Sequence, residues 1–418
     1  MKHALEISST LRHHLTNRPR RSLMAGLTAS TLLATVAATA LPASPAQAAT
    51  TRHLKTFVAE NENRTHVRTR AQALEDATNF DVISALPGTY RDHIVAMRQA
   101  NPGLVVVAYM NGTFAQKSQG TSYPASWYAR DKTGQKIQSR GFGNYLMRPN
   151  EPGWINDRVA ACRALIQQSG YHGCMVDMLG VAPVQPGYTT SLPVNPATGA
   201  LWTSPDWQRA TAAATGKLQA AITTGEVWGN GYGSGSRYFT SSFGPSKLLN
   251  PSMVGGVAES WMRTASMPLD RYREEAEWKQ SVDMLVDQGR AGTRGVVMVK
   301  LWAPGTVAQK DANHRYALSS FLLGSDGRAS FNISYGHDVD ALAPHPYWSR
   351  ADIGAPSGPY TLTSGVYQRA FSQGKVVVNP TKVSRTISLG GSYVNLSGKT
   401  VSSLTLPPNS GDVLRKVG

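Results

Sequence analysis

Two carboxylates, Asp177 and Glu259, are the residues of this 418-residue chain whose type and setting best suit covalent chemistry. Asp177 closes the apolar run Cys174-Met175-Val176, and Glu259 follows Val257-Ala258 and precedes Ser260-Trp261. An ionised acid set against an apolar strand is costly unless it is hydrogen-bonded or employed. Two acids flanking an acetal are the minimum for glycosidic cleavage. One protonates the leaving oxygen, and the other attacks the anomeric carbon or activates a water. Asp177, the shorter acid on the more apolar segment, is the expected nucleophile. Glu259, with longer reach and flanked by Ala258 and Trp261, is the expected general acid/base, with a raised pKa. The plain alternative for each acid is a helix cap or an ion pair with an arginine such as Arg263.

The elements that must position these acids alternate between short apolar runs and helix-like segments. Strands are expected at 54–59, 80–84, 104–109, 174–176, 226–231, 253–259, 295–302 and 329–335. Eight strands separated by helices predict a (β/α)8 TIM barrel over 49–342, whose reacting groups stand at the strand C-termini. A doubly wound sheet is the runner-up, but its glycine-rich phosphate turn is missing. At those C-terminal ends stand Glu60, Asn111, Asn230, Lys300 and Asn332 besides the two acids, with Tyr109, Trp261, Trp302 and Tyr335 as rim aromatics. Tyr109, Asn111, Asn230, Trp261, Lys300 and Trp302 are the expected substrate-binding set, because a ring can cover an apolar sugar face while polar groups bind its hydroxyls. Lys300 suits a salt bridge as well as a substrate contact. Asp81 and Glu226 begin strands and belong to the structural end of the barrel.

The excursion from 112 to 150 is longer than a structural connection needs and is expected to wall or cover a site. It holds a hairpin around Asp131-Lys132-Thr133-Gly134. Its Trp127 and Tyr128, with Tyr188 and Trp202 of the 180–204 loop, suit sugar stacking. A Pro-rich linker is expected at 343–359. From 360 to 418 the pattern turns to short strands and turns, which predicts a small C-terminal antiparallel β-sandwich that shields the barrel.

Composition narrows the partners. Hydrophobic residues make up 41% and charged residues 16%, as in a globular chain with ample core. The net charge is +16, of which the first 48 residues hold +4. The remaining +12 suits an anionic or cell-wall polymer as substrate or neighbour. The basic residues are scattered, so nucleic acid is not expected. No membrane span and no oligomer is expected either. Residues 1–48 pair Arg20-Arg21-Ser22-Leu23-Met24 with a weakly apolar segment and Ala46-Gln47-Ala48, the pattern of an export signal. A twin-arginine and a general secretory route both fit, and the product is expected outside the cell. Cys162 and Cys174, the only cysteines, either pair in an oxidising compartment or are buried separately. No G-x-S-x-G elbow, phosphate loop or metal-spaced His/Asp cluster is present, so no cofactor and no metal is expected.

The order of features resembles the hypothetical glycosyl hydrolase family fifteen, which is distinct from the glucoamylases. The resemblance is carried by Val107-Ala108-Tyr109-Met110-Asn111, Asp131-Lys-Thr-Gly134, Gly143-Asn144-Tyr145-Leu146-Met147-Arg148-Pro149 and Trp154. It continues in Gly170-Tyr-His-Gly173-Cys-Met-Val-Asp177, Gly229-Asn230-Gly231 and Glu259-Ser-Trp261, and in the tail in Asp352-Ile-Gly354-Ala-Pro356, Tyr367-Gln-Arg369-Ala-Phe371 and Asn379-Pro380-Thr381. It spans about residue 53 to the end. The resemblance implies a barrel with a C-terminal β-sandwich, a strand-four aspartate nucleophile mapping to Asp177, and a strand-six proton donor mapping to Glu259. Where relatives often have an acid before the proline, this chain has Arg148-Pro149. The expected activity is a secreted glycosidase of retaining course acting on a poly- or oligosaccharide. A carbohydrate-binding protein without catalysis, on the same barrel, is the alternative, and the separation of the carboxylates distinguishes them.

Overall fold

The computed structural model describes residues 53–60, 67–240, 244–336 and 345–417. The expected export signal at 1–48 lies outside these residues. Eight parallel strands close a barrel: β1 Lys55–Glu60, β2 Val82–Ala85, β3 Val105–Asn111, β4 Gly173–Asp177, β5 Glu226–Asn230, β6 Gly255–Ala258, β7 Arg294–Lys300 and β8 Ser330–Ser334. β8 returns to β1 through the pairs Lys55–Ser330 and Thr56–Phe331. A helix follows each strand: α1 Arg70–Asn79, α2 Ile94–Ala100, α3 Pro152–Ser169, α4 Ser204–Ala221, α5 Ser236–Phe239, α6 Glu275–Arg290, α7 Val307–Gly324 and α8 Pro346–Ala351. The (β/α)8 expectation is borne out. Among the described residues no helix is long and apolar enough to cross a membrane.

Local sequence sets the helix ends. Thr69 and Gln72 form a reciprocal capping box on α1, and Thr306 with Gln309 does the same on α7. Glu151 caps α3 with Pro152 in its first turn, and Gly170 ends it in the left-handed region at φ +75°.

Inside the barrel, Phe57, Val82, Val107, Met175, Trp228, Val257 and Val296 form one packed layer. Trp228 is the largest of these, and β6 makes room for it with Gly255, where a Cβ would lie 2.1 Å from the indole. Period-two alternation makes residues two places further along each strand face inward too, at the mouth. Tyr109, Asp177, Asn230 and Glu259 are those residues on or just past β3, β4, β5 and β6, and on β7 Lys300 follows Val296 and Met298 at the same parity. At the opposite end Asp81 accepts the Thr56 amide at 2.8 Å, and Glu226 accepts from Trp228 Nε1 at 2.9 Å, so both acids are employed structurally.

The disulfide Cys162–Cys174 ties α3 to β4. Both cysteines are fully buried, so pairing and burial coexist. The excursion between β3 and α3 packs into two apolar clusters, one in which Tyr123, Tyr128 and Met147 meet Trp154 of α3 and another in which Phe114 and Ile137 meet Trp202 of the β4–α4 loop and Trp207 of α4. The hairpin turns at Asp131, whose Oδ1 accepts from the Thr133 and Gln135 amides.

After the barrel come β9 Thr361–Thr363, β10 Val366–Phe371, β11 Gly374–Asn379, β12 Arg385–Val394, β13 Thr400–Leu406 and β14 Ser410–Lys416. They form one antiparallel sheet in the order β9-β10-β11-β14-β12-β13. The β12–β13 hairpin packs Ile387, Leu389 and Leu406 against Val366, Val377 and Leu414, so the sandwich is built from one sheet folded over itself. Its other face, with Tyr367, Phe371, Val376 and Val413, joins the core around α6 and α7. The expected linker at 343–359 is corrected in part. Its Tyr347, Trp348 and Ala351 belong to α8 and are buried in the core, because an apolar helix face needs cover.

Candidate active site

Asp177 ends β4, and all the hydrogen bonds on its carboxylate come from donors. Tyr109 on β3 donates its hydroxyl to Oδ2 at 2.7 Å, and Oδ1 accepts from Asn230 Nδ2 at 2.8 Å and from the Met178 amide at 2.7 Å. Asn230 ends β5 and also donates to Glu259 Oε1 at 2.6 Å. One amide nitrogen therefore holds both acids. Their facing oxygens lie no more than 5.4 Å apart, the sum of the two bonds. Lys300, ending β7, reaches Glu259 Oε2 at 3.3 Å. Glu259 is half exposed, with 48% of its side chain accessible, so this ion pair is open to solvent and does not bury the acid.

Burial raises the pKa of Asp177, and the negative charge of Glu259 raises it further. The three donors from Tyr109, Met178 and Asn230 pull the other way without cancelling the rise. Met178, directly after the acid, sits at φ +64°, a left-handed conformation unusual for a residue with a side chain. Its amide donates to Asp177 Oδ1, and Thr113 Oγ1 holds its carbonyl at 3.0 Å.

The acids open into a cleft of about 900 Å³ running over the β5 and β6 sector. Its walls are the β4–α4 loop with Tyr188, the Gly231–Arg237 loop, and Thr264, Arg273 and Glu277 near the start of α6. The size suits a ligand of more than one sugar ring. The fifth helix is only four residues long, and the cleft passes over that sector.

Sequence reading placed Tyr109, Asp177, Asn230, Glu259 and Lys300 at one site, and the structure brings these five together. Trp302 stands at the same rim. Its Nε1 donates to Ser334 Oγ at 2.7 Å, and Lys300 Nζ lies 4.9 Å from its ring.

Two expected contacts are corrected. Trp261 is fully buried and its Nε1 donates to the Ser281 carbonyl, because the chain turns away from the mouth after Glu259. Asn111 caps the turn that follows β3, with Oδ1 accepting from the Thr113 and Phe114 amides, and this local bond absorbs its acceptor. Of the loop aromatics, Tyr188 faces the cleft, whereas Tyr128 and Trp202 are buried in the excursion's clusters, and Trp127 packs beside the first. Arg263 pairs with neither acid. Its guanidinium donates to the Met267, Pro268 and Arg271 carbonyls and to Asn313. Of the side chains missed by sequence reading, Met178 and Arg273 lie in loops and Arg237 lies in the short α5. The only hint was the alternation Gly229, Gly231, Gly233, Gly235, which strips side chains from one wall.

Among solved structures, the fold is similar to a noncanonic maltogenic α-amylase from Thermotoga neapolitana, with a TM-score of 0.53 and 9% identity over 87% of this chain and 99% of that one. It is similar to a pullulanase complexed with maltotriose from Anoxybacillus sp. LM18-11, with a TM-score of 0.53 and 10% identity over 87% of this chain and 70% of that one. An isomaltulose synthase from Klebsiella sp. LX3 gives a TM-score of 0.51 and 9% identity over 87% and 98% of the respective chains. At such identities the likeness speaks for the fold. No curated protein matches the sequence. The profile described as hypothetical glycosyl hydrolase family 15 matches residues 98–375, more than half of the chain, and the chain belongs to that family.

Proposed function

We propose that this glycosidase is an exported enzyme that cleaves a poly- or oligosaccharide with retention of configuration, with Asp177 as nucleophile and Glu259 as general acid/base. The observation that carries this reading is the single Asn230 amide spanning the two acids, which limits their facing oxygens to 5.4 Å. Retaining enzymes hold their carboxyl groups about 5–5.5 Å apart, and inverting ones leave about 6.5–9.5 Å for a water.

Two donors occupy the lone pairs of Asp177 Oδ1, whereas Oδ2 accepts one hydroxyl and keeps a lone pair for attack. Oδ2 forms a bond to the anomeric carbon as the glycosidic C–O bond breaks, and Glu259 gives its proton to the departing oxygen. Water then attacks the same carbon and gives a proton back to Glu259, and the ester to Asp177 breaks. The more exposed acid suits the role that gives a proton to the leaving group and takes one back from the entering water. Lys300 orients Glu259 through Oε2. Export is supported by the Arg20-Arg21 pattern and by the disulfide, a bond that persists in oxidising compartments.

The test pairs a panel of 4-nitrophenyl glycosides and polysaccharides with product stereochemistry followed by proton NMR. The first-formed anomer is expected to match the substrate. Asp177→Gly is expected to be inactive and to be rescued by azide, giving a glycosyl azide of opposite configuration. An inverted first product removes the retaining reading. Glycan binding with no turnover by the wild-type chain leaves only a carbohydrate-binding barrel.

A further inference from the structure

Tyr188 lies in the β4–α4 loop and lines the same cleft as Asp177, Met178, Asn230 and Glu259. Its ring leans on Phe114, with centroids 6.3 Å apart. Its backbone is pinned where the Arg140 amide donates to the Tyr188 carbonyl at 3.0 Å. The next residue, Thr189, donates its hydroxyl to the Pro183 and Ser191 carbonyls. The ring is therefore held by the excursion on one side and by its own loop on the other. The Tyr188 hydroxyl is directed at the Met178 sulfur, 3.2 Å away. A thioether is a weak acceptor, so this contact leaves a strong donor with a poor partner beside two carboxylates.

The backbone of Met178 strengthens the point. Its left-handed backbone is held at the amide by Asp177 and at the carbonyl by Thr113, and its sulfur is where the phenol rests before substrate arrives. Burial pushes the Tyr188 pKa up to about 12, and the charges of Asp177 and Glu259 add to the rise. The phenol therefore keeps its proton across any working pH and remains a donor.

A sugar whose anomeric carbon lies between the two acids presents two neighbours of that carbon, the ring oxygen and the 2-hydroxyl. Hydrogen bonds to the 2-hydroxyl strengthen as the oxocarbenium-like transition state forms. We propose that Tyr188 contacts substrate directly, its hydroxyl leaving Met178 to donate to the sugar 2-hydroxyl oxygen. The inference rests on the glycosidase reading above and adds a specificity-determining residue to it.

The test compares wild type and Tyr188→Phe on the 4-nitrophenyl glycoside turned over fastest and on its 2-deoxy counterpart. Phenylalanine keeps the ring on Phe114, and an unchanged thermal midpoint checks that the fold is kept. The variant is expected to lose roughly 10- to 100-fold in kcat/KM on the 2-hydroxy substrate. On the 2-deoxy substrate it is expected to match wild type. Equal loss on both substrates, or no loss on either, overturns the role for Tyr188 while leaving the glycosidase reading intact. A wild-type protein that turns over no glycoside, with Asp177→Asn indistinguishable from it, overturns the underlying reading and this one together.

Discussion

The Tyr109 hydroxyl donates to Asp177 Oδ2 across 2.7 Å, so the third strand of the barrel supplies a donor to the acid of the fourth. That bond works against burial and the Glu259 charge, which together raise the Asp177 pKa. As the proposed nucleophile, Asp177 must be ionised to attack, so activity is expected to fade as pH falls through a value above the ordinary one for an aspartate. Tyr109→Phe removes one of the opposing donors, and the acid limb of the kcat/KM profile is expected to move to higher pH. At the optimum, loss of a bond to a charged group is expected to cost about 10-fold. A variant whose acid limb stays in place shows that Tyr109 does not tune Asp177.

This pairing was half legible in the sequence, for a physical reason. Val107, Met175, Trp228, Val257 and Met298 pack the barrel interior or line it. The residue two places on from each faces the same way, so apolar runs alone place Tyr109, Asp177, Asn230, Glu259 and Lys300 at the mouth. The same parity misleads once the chain leaves its strand. Trp261 follows Glu259 by two places, but the turn after β6 sends it into the core, where it bonds the Ser281 carbonyl. Asn111 shares the parity of Tyr109 and is diverted by a turn of its own. The positive φ of Met178 is not legible locally, since the bond on its carbonyl comes from Thr113, 65 residues away.

Asp177→Asn separates chemistry from stability. The new Oδ1 can keep the bonds from Asn230 and Met178, and the new amide can donate to the Tyr109 oxygen, so packing is preserved. Activity is expected to fall by about 10⁴-fold or more. A folded-state pKa above the unfolded value means that the native protein holds more protons, so this carboxyl costs stability as pH rises from about 3.8. The variant is therefore expected to melt higher than wild type at pH 7, with the gain vanishing below pH 4. Equal melting points at both pH values would show that Asp177 is well solvated.

The Cys162–Cys174 bond closes a short loop and ends three residues before Asp177 on the same strand. Double replacement by alanine is expected to cost about 2–4 kcal/mol, read as a lower denaturant midpoint. Because β4 keeps its ladders to β3 and β5, kcat at low temperature is expected to change little. A large fall in kcat with stability unchanged reverses this, and makes the bond a determinant of where Asp177 sits.

A second buried cluster, around His314, ties stability to pH. His314 on α7 is fully buried, with its Nδ1 2.8 Å from the Tyr335 hydroxyl and its ring 4.0 Å from that of His345. Burial lowers the pKa of both imidazoles. For His314 the neighbouring His345 and Arg315 lower it further, while Asp311 partly offsets the drop at His345. An imidazole that resists protonation in the native state takes up its proton on unfolding, so stability is lost as pH falls below the ordinary value of about 6.5. Each such group contributes a slope of up to about 1.4 kcal/mol per pH unit in that window. Urea midpoints measured between pH 7.5 and 5 are expected to fall steadily, and His314→Gln is expected to flatten the dependence by one proton. A wild-type midpoint that stays level across this range would mean that both rings charge freely inside the fold, which burial of His314 against Phe331 and Tyr335 opposes.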